Sequence, residues 1–273
     1  MMFKDFLNDR DDLPKIKRFA ILGNSKTLDF ERKLDYLIRI AEKENWDQTD
    51  VHTGRKNSTI FYYIVHTFDR CYMQKKIYFD SNNENSFFNT GLMDNQGNEI
   101  FAHFTKSKFF EEGNPSSNYW YFKAFLKSND KEFVRLCNDK PEPATYFEDY
   151  NELYFDPKLN IEINFDHIYD DNFERLPDSL KTLDKETARL VFDGFLSFTK
   201  KKIIRNNRIP VPQFYDNKIS FLIPVKVFDK DIVVIAVEKI NNNYIANTVL
   251  TMGMAYNCAR LITKPESNWL LNE

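Results

Sequence analysis

Residues Lys218 to Leu250 read KISFLIPVKVFDKDIVVIAVEKINNNYIANTVL, and this stretch decides the fold class. KISFLIPVKVF, DIVVIAVEKI and YIANTVL are strand-length runs rich in Val and Ile, and Asn241 to Asn243 supply the tight turn between the last two. An antiparallel meander is therefore expected. It is closed by TMGMAYNCARLI, an amphipathic helix ended by Lys264 and Pro265. Ahead of the meander, Asp184 caps a strong helix that begins near Lys185. Val191, Phe195 and Phe198 share one face of it, and the same 3.6-residue period continues to Lys202 and Arg205. The predicted core stripe thus runs into cations, which cannot be buried without a carboxylate, a cleft or a bound anion to meet them.

Further upstream, IEINF (Ile161 to Phe165) reads as a strand and DHIYDDNFERLPD as a polar loop after it. PEPATYFEDYNELYFDPK, from Pro141 to Lys158, is irregular because its prolines exclude a continuous element. WYFKAF suggests a strand and Asp130 to Cys137 a short helix. The loop EEGNPSSN (Glu111 to Asn118) is the expected subdomain boundary. Before it come two helices, one through Phe30, Leu34, Leu37, Ile38 and Ala41 and one from Thr59 to about Lys75. KIYFDSNNENSFFNTGL then reads as two strands around a turn, and NEIFAHF as a third. Helix, helix and hairpin resembles a winged helix, yet the second helix offers mainly Tyr62, Tyr63, His66 and Arg70 to a groove, which favours a packing subdomain. Residues 1–26 show no sustained period and read as an arm. The class is α+β: an arm, an N-terminal helix pair with a β-hairpin over residues 27–112, and a C-terminal meander packed by long helices over 113–273.

Composition excludes several chemistries. With 7 Gly the chain holds no GxxxxGK[ST] phosphate loop and no GxGxxG turn, and no GxSxG elbow is present. The HxT at His103 to Thr105 occurs once, where a two-histidine phosphoesterase needs two copies. Cys71, Cys137 and Cys258 are far apart and odd in number, so neither a disulfide framework nor a zinc site is indicated, and no motif names a cofactor. The start lacks an apolar h-region and no segment approaches the roughly 18 apolar residues of a membrane span, which places the chain in the cytoplasm without a membrane partner. A net charge of -3 argues against polyanion binding by the whole surface, so any nucleic-acid contact must be a local patch.

KKKIIRNNRIPVPQFY, from Lys200 to Tyr215, is the candidate patch. Lys200 and Lys201 suit the negative end of a helix dipole. Lys202, Arg205 and Arg208 fall at three-residue spacing, and guanidinium forks match phosphate oxygens, while Tyr215 could stack on a base. A second candidate is Asp166 with His167, an acid and an imidazole directly after a strand, although neighbours on an extended chain point to opposite faces. Asp166, Asp170, Asp171 and Glu174 are oxygen ligands suited to magnesium, but without fixed ligand spacing they read as a solvated loop, and no metal site is assigned.

The motifs ENW at Glu44, FNTGL at Phe88, EIFAHF at Glu99, EPATYFED at Glu142, NFDHI at Asn164, RNNRIPVPQFY at Arg205 and AYNCARLI at Ala255 resemble an uncharacterised bacterial family, the domain of unknown function 3825. The resemblance runs from about residue 27 to residue 271, which would make 27–273 one family domain. In longer relatives the domain occurs beside cold-shock-like or other RNA-binding modules, which implies a role in RNA metabolism. This chain carries no such module of its own. The shared motifs gather Asn89, His167, Arg205, Gln213, Tyr215, Tyr256, Asn257 and Arg260. Tyr256 and Arg260 stand at i and i+4 on one helix face. They could join Arg205 around a phosphate, or form a network that fixes the meander to the last helix. The leading expectation is an RNA- or nucleotide-binding protein of RNA metabolism or stress response. Its alternatives are a phosphodiester- or nucleotide-acting enzyme using His167 and Asp166, and a protein-interaction domain.

Overall fold

A computed structural model describes residues 6–24, 28–44, 46, 57–228 and 231–271. The chain divides into two compact units, Met1–Thr145 and Tyr146–Glu273. Among the described residues each unit is built on one mixed five-stranded sheet with helices against it, which is an α+β fold. No described helix is long and apolar enough to cross a membrane.

The first unit contains α1 (Lys15–Phe19), β1 (Ala20–Ile21), α2 (Asp29–Ile40), α3 (Ser58–Met73), β2 (Ile77–Phe79), β3 (Asn85–Met93), β4 (Glu99–Lys106), β5 (Trp120–Lys127) and α4 (Lys131–Leu136). The strand order is β1-β5-β4-β3-β2, with β1 parallel to β5. Alternation along β3 and β4 sends Phe88 and Phe104 to the face covered by α3, where both meet Phe68. Phe87 and Phe101 take the other face, against Phe133 of α4.

Three expectations for this region change. β5 pairs along its length with β4, so Trp120 to Lys127 belongs to the first unit, and the division falls after residue 145 rather than at the Glu111 to Asn118 loop. Both strands of the predicted hairpin lie within the larger sheet, with β3 flanked on both sides, so the helix-helix-hairpin order is not a winged helix. The described part of the arm is folded in. Phe6 and Phe19 insert among Phe79, Phe104 and Trp120, and β1 extends the sheet. A five-residue helix followed by a two-residue strand is too short to show a period, so the arm looked featureless.

The second unit contains a 3-10 turn (Tyr150–Leu153), β6 (Asn160–Ile163), α5 (Phe165–Asp171), a second 3-10 turn (Phe173–Arg175), α6 (Asp178–Lys181), α7 (Lys185–Arg205), β7 (Val211–Tyr215), β8 (Lys218–Val227), β9 (Asp231–Ile240), β10 (Asn243–Leu250), α8 (Met252–Arg260) and α9 (Asn268–Leu271). β7 to β10 form the antiparallel meander in chain order, and β6 adds to β10 in parallel. One face, with Phe221, Ile223, Val225, Ile235 and Val237, packs on α5 and α7, and the other, with Val211, Leu222 and Val234, packs on α8. The expected polar loop after β6 is instead α5. It buries only Phe165 and Ile168, with Tyr169 packed at the margin, within a single seven-residue segment too short to show a helical period in sequence.

Candidate functional site

The 21-residue helix α7 presents the basic stretch. Asp184 starts it by accepting from the Thr187 backbone N–H at 3.0 Å, and Lys202 and Arg205 end it where the carbonyl dipoles favour cations. Its buried stripe is Ala188, Phe192, Leu196, Thr199 and Ile203. The expected stripe through Val191, Phe195, Phe198, Lys202 and Arg205 is rotated from this one: Val191 and Phe195 are half-buried flanks, and Phe198 is 61% exposed. Two aromatic-bearing 3.6-residue stripes exist in the sequence. The core took the one whose small members, Ala188 and Thr199, let the helix approach the sheet closely.

That rotation places the cations outside the core. Lys201, Lys202, Arg205 and Arg208 are exposed, and among the described residues none forms an ion pair. Elsewhere in the unit the half-buried Lys185 lies 2.9 Å from Asp166 and 2.8 Å from Asp170, and Lys218 lies 2.9 Å from Glu238, whereas the exposed Lys158, Lys226 and Lys239 form no ion pair among the described residues but are scattered along the chain. Lys200 differs from its neighbours by turning inward to donate to the Ile161 carbonyl at 3.0 Å. Arg205 donates back to the Lys201 carbonyl at 2.8 Å, which uses one guanidinium nitrogen and leaves the rest of the fork outward. The linker to β7 is held in place. Asn206 Oδ1 accepts from the Arg208 backbone N–H, while Ser267 and Trp269 donate to the carbonyls of Arg208 and Ile209. Beside the cations stand exposed apolar side chains, Phe198 with the Lys201 ammonium 5.8 Å from its ring and Ile204 at 66% exposure. Phe198 and Ile204 were hidden from sequence reading, because periodicity placed the first in the core and gave the second no role.

Gln213 and the α8 residues form a different group. Gln213, on the β7 face shared with Val211, is 3% exposed and donates to Ser220 Oγ at 2.9 Å, while its Oε1 has no hydrogen-bond partner. Tyr256 packs with Ala255, Ala259, Val211 and Leu222, and Arg260 is buried at the end of the same helix. Asn257 Oδ1 is likewise buried without a partner. Tyr256 and Arg260 do share a helix face, but it is a packed one, and α8 and α7 cover opposite faces of the sheet. Tyr215, at the far end of β7, is 70% exposed beside the Asp216–Asn217 turn, whose residues both take positive φ.

Asn89 lies in the first unit, at the irregularity in β3–β4 pairing between Asn89 and Met93. Its amide donates to Glu99 Oε1 at 2.8 Å and to the Pro141 carbonyl at 3.3 Å, and accepts from the Gly91 backbone N–H at 2.9 Å. Both its donors are therefore spent on the fold. Gly91 has φ +74°, and a Cβ there would lie 2.8 Å from the Tyr63 hydroxyl, so FNTGL reads as a bulge requirement.

Asp166 and His167 occupy the first turn of α5 rather than an extended strand end. Asp166 is held by Lys185, whose ammonium keeps its carboxyl below the ordinary range. His167 Nδ1 pairs with Asp171 one turn on, so the carboxylate that orients it is Asp171 and not Asp166. Lys185 also engages Asp170, so one ammonium bridges the two carboxylates. No group of three or more His, Cys, Asp or Glu able to hold a metal occurs among the described residues.

A family model described as a domain of unknown function (DUF3825) matches residues 37–269. No curated protein and no solved structure matches the chain.

Proposed function

Because the chain belongs to the DUF3825 family, whose description carries no activity, we propose a function from its own surface: binding of phosphate-bearing ligands, single-stranded RNA foremost, at the end of α7. The observation that supports this is the clustering of the unpaired cations Lys202, Arg205 and Arg208, with Lys201 beside them, at one helix end, where the unit's other exposed lysines without an ion pair among the described residues, Lys158, Lys226 and Lys239, stand singly along the chain. Phosphate oxygens would supply the missing anions, and the planar forks of Arg205 and Arg208 suit them. Phe198, exposed beside the Lys201 ammonium, gives bases an aromatic face, whereas Tyr215, exposed at the far end of β7 on the α8 side of the sheet, lies apart from it. Gln213, Tyr256, Asn257 and Arg260 support the β7–α8 packing beneath the linker, and the enzyme alternative has no comparable support, since Asp166 is engaged by Lys185 and His167 by Asp171.

The test is binding of labelled single-stranded RNA by the full chain across a salt series, with the Lys202→Ala, Arg205→Ala, Arg208→Ala triple variant beside it. Each phosphate contact on a single strand contributes about -0.7 to the slope of log affinity against log salt, so removing three should flatten it by about 2. Affinity that rises with strand length assigns the site to RNA; equal affinity for mononucleotide and oligomer assigns it to a nucleotide. Absence of salt-dependent binding by the wild type at low salt overturns the reading.

A further inference from the structure

The segment from Glu148 to Asp156 mirrors the end of α7 in both charge and exposure. Glu148, Asp149 and Glu152 are exposed, Asp156 is half-buried, and none of the four forms an ion pair among the described residues. Among the described residues, three of these carboxylates accept from close chain neighbours: Asp149 from Asn151, Glu152 from the Asp149 backbone N–H, and Asp156 from the Lys158 backbone N–H. Between them Tyr150 is 80% exposed and Tyr154 is also open to solvent. The segment is ordered around these groups, because Asp149 and Glu152 close a reciprocal cap on its 3-10 turn and Phe147 packs edge-on against Tyr150.

The two patches lie on one side of the sheet. Phe155, next to Asp156, stacks on Tyr244 at 4.3 Å and shares a hydrophobic cluster with Leu196 and Ile203 of α7. Lys200 ties α7 to β6, the next strand after that segment, through the Ile161 carbonyl. One face therefore carries four unmatched carboxylates with exposed tyrosines, and also four unmatched cations with exposed Phe198 and Ile204. A surface whose neighbouring halves are complementary in this way is matched by itself after a half-turn, which sets acid on base twice.

We infer that the chain pairs with a second copy of itself, the Glu148–Asp156 segment of each protomer seated on the Lys201–Arg208 end of α7 of the other. The apolar side chains supply the contact area, and the charges fix register and rate. Both patches belong to the second unit, and no RNA is required.

Sedimentation velocity of the RNA-free full chain tests this across a concentration series, at about 50 mM and about 500 mM salt. The expected result is a dimer at low salt that weakens at high salt. The Glu148→Lys, Glu152→Lys variant and the Lys201→Glu, Arg205→Glu variant should each weaken pairing at least about tenfold, since each reverses several contacts twice by symmetry. Mixing the two variants should restore a heterodimer through one charge-swapped half of the interface, a recovery that a misfolded variant could not give. A wild type that stays monomeric at low salt overturns the inference, as does a dimer indifferent to both variants or a mixture that recovers nothing. RNA binding can fail while this pairing stands, and the reverse, so the two readings are separable.

Discussion

Asp69→Asn should make the protein more acid-labile than the wild type between pH 7 and 4.5. Asp69, on α3, has its carboxyl pushed up to about 6 by burial, a shift only partly offset by the Lys15 ammonium and the backbone N–H groups of Ile16 and Lys15. His103, on β4, has its imidazole pushed down to about 4, chiefly by burial and further by the Lys123 charge; it stacks on Phe87 at 4.4 Å with Nε2 2.9 Å from Asn85 Oδ1. The signs oppose. A carboxyl whose folded value is raised contributes stability that is full below its unfolded value of 3.8 and is lost as pH rises through about 6. An imidazole whose folded value is lowered contributes stability that is present above 6.5 and lost as pH falls through about 4. Between pH 7 and 4.5 each is worth about 2 kcal/mol, so they nearly cancel. Removing Asp69 leaves the His103 loss unopposed, with His66, whose imidazole is also lowered by burial, adding in the same direction, and His103→Gln leaves the Asp69 gain opposed by His66 only, so that variant should lose less stability than the wild type as pH falls. Urea unfolding followed by tryptophan fluorescence reads both slopes, since Trp46 and Trp120 lie in the same unit as the two groups. Identical slopes in wild type and both variants would refute the linkage.

Asn89→Ala should destabilise the first unit by about 3 kcal/mol while leaving salt-dependent RNA binding untouched. The substitution strands the Glu99 carboxylate, the Pro141 carbonyl and the Gly91 N–H in a site where Asn89 is 1% exposed, and unsatisfied buried groups cost about 1 to 3 kcal/mol each. Arg205→Ala should do the opposite. Arg205 is exposed and, among the described residues, bonds only its own helix end, so its loss should weaken RNA binding with a stability change below about 0.5 kcal/mol. Urea unfolding and RNA titration on the same two variants separate the roles. Loss of RNA affinity in a folded Asn89→Ala protein would return Asn89 to the binding surface.

Local pattern was enough to read most elements. The meander, α2, α3, α7 and α8, and the strands from Lys76 to Phe104, announce themselves because a buried face repeats at a period of two or 3.6 residues. The unmatched cations of Lys200 to Arg208 were also legible as an excess of one charge in a short span. What sequence could not decide were questions of partnership. WYFKAF reads as a strand by itself, but only long-range pairing with β4 assigns it to the first unit. Asn89 and Arg205 look alike as polar residues at the ends of apolar runs, and only their neighbours separate an amide consumed by a bulge from a guanidinium facing water. The same holds for α7, where two stripes satisfy the helical period. Periodicity names the candidate faces, but the rotation that buries Ile203 and exposes Phe198 is chosen by close packing against β8, a contact between segments distant in the chain.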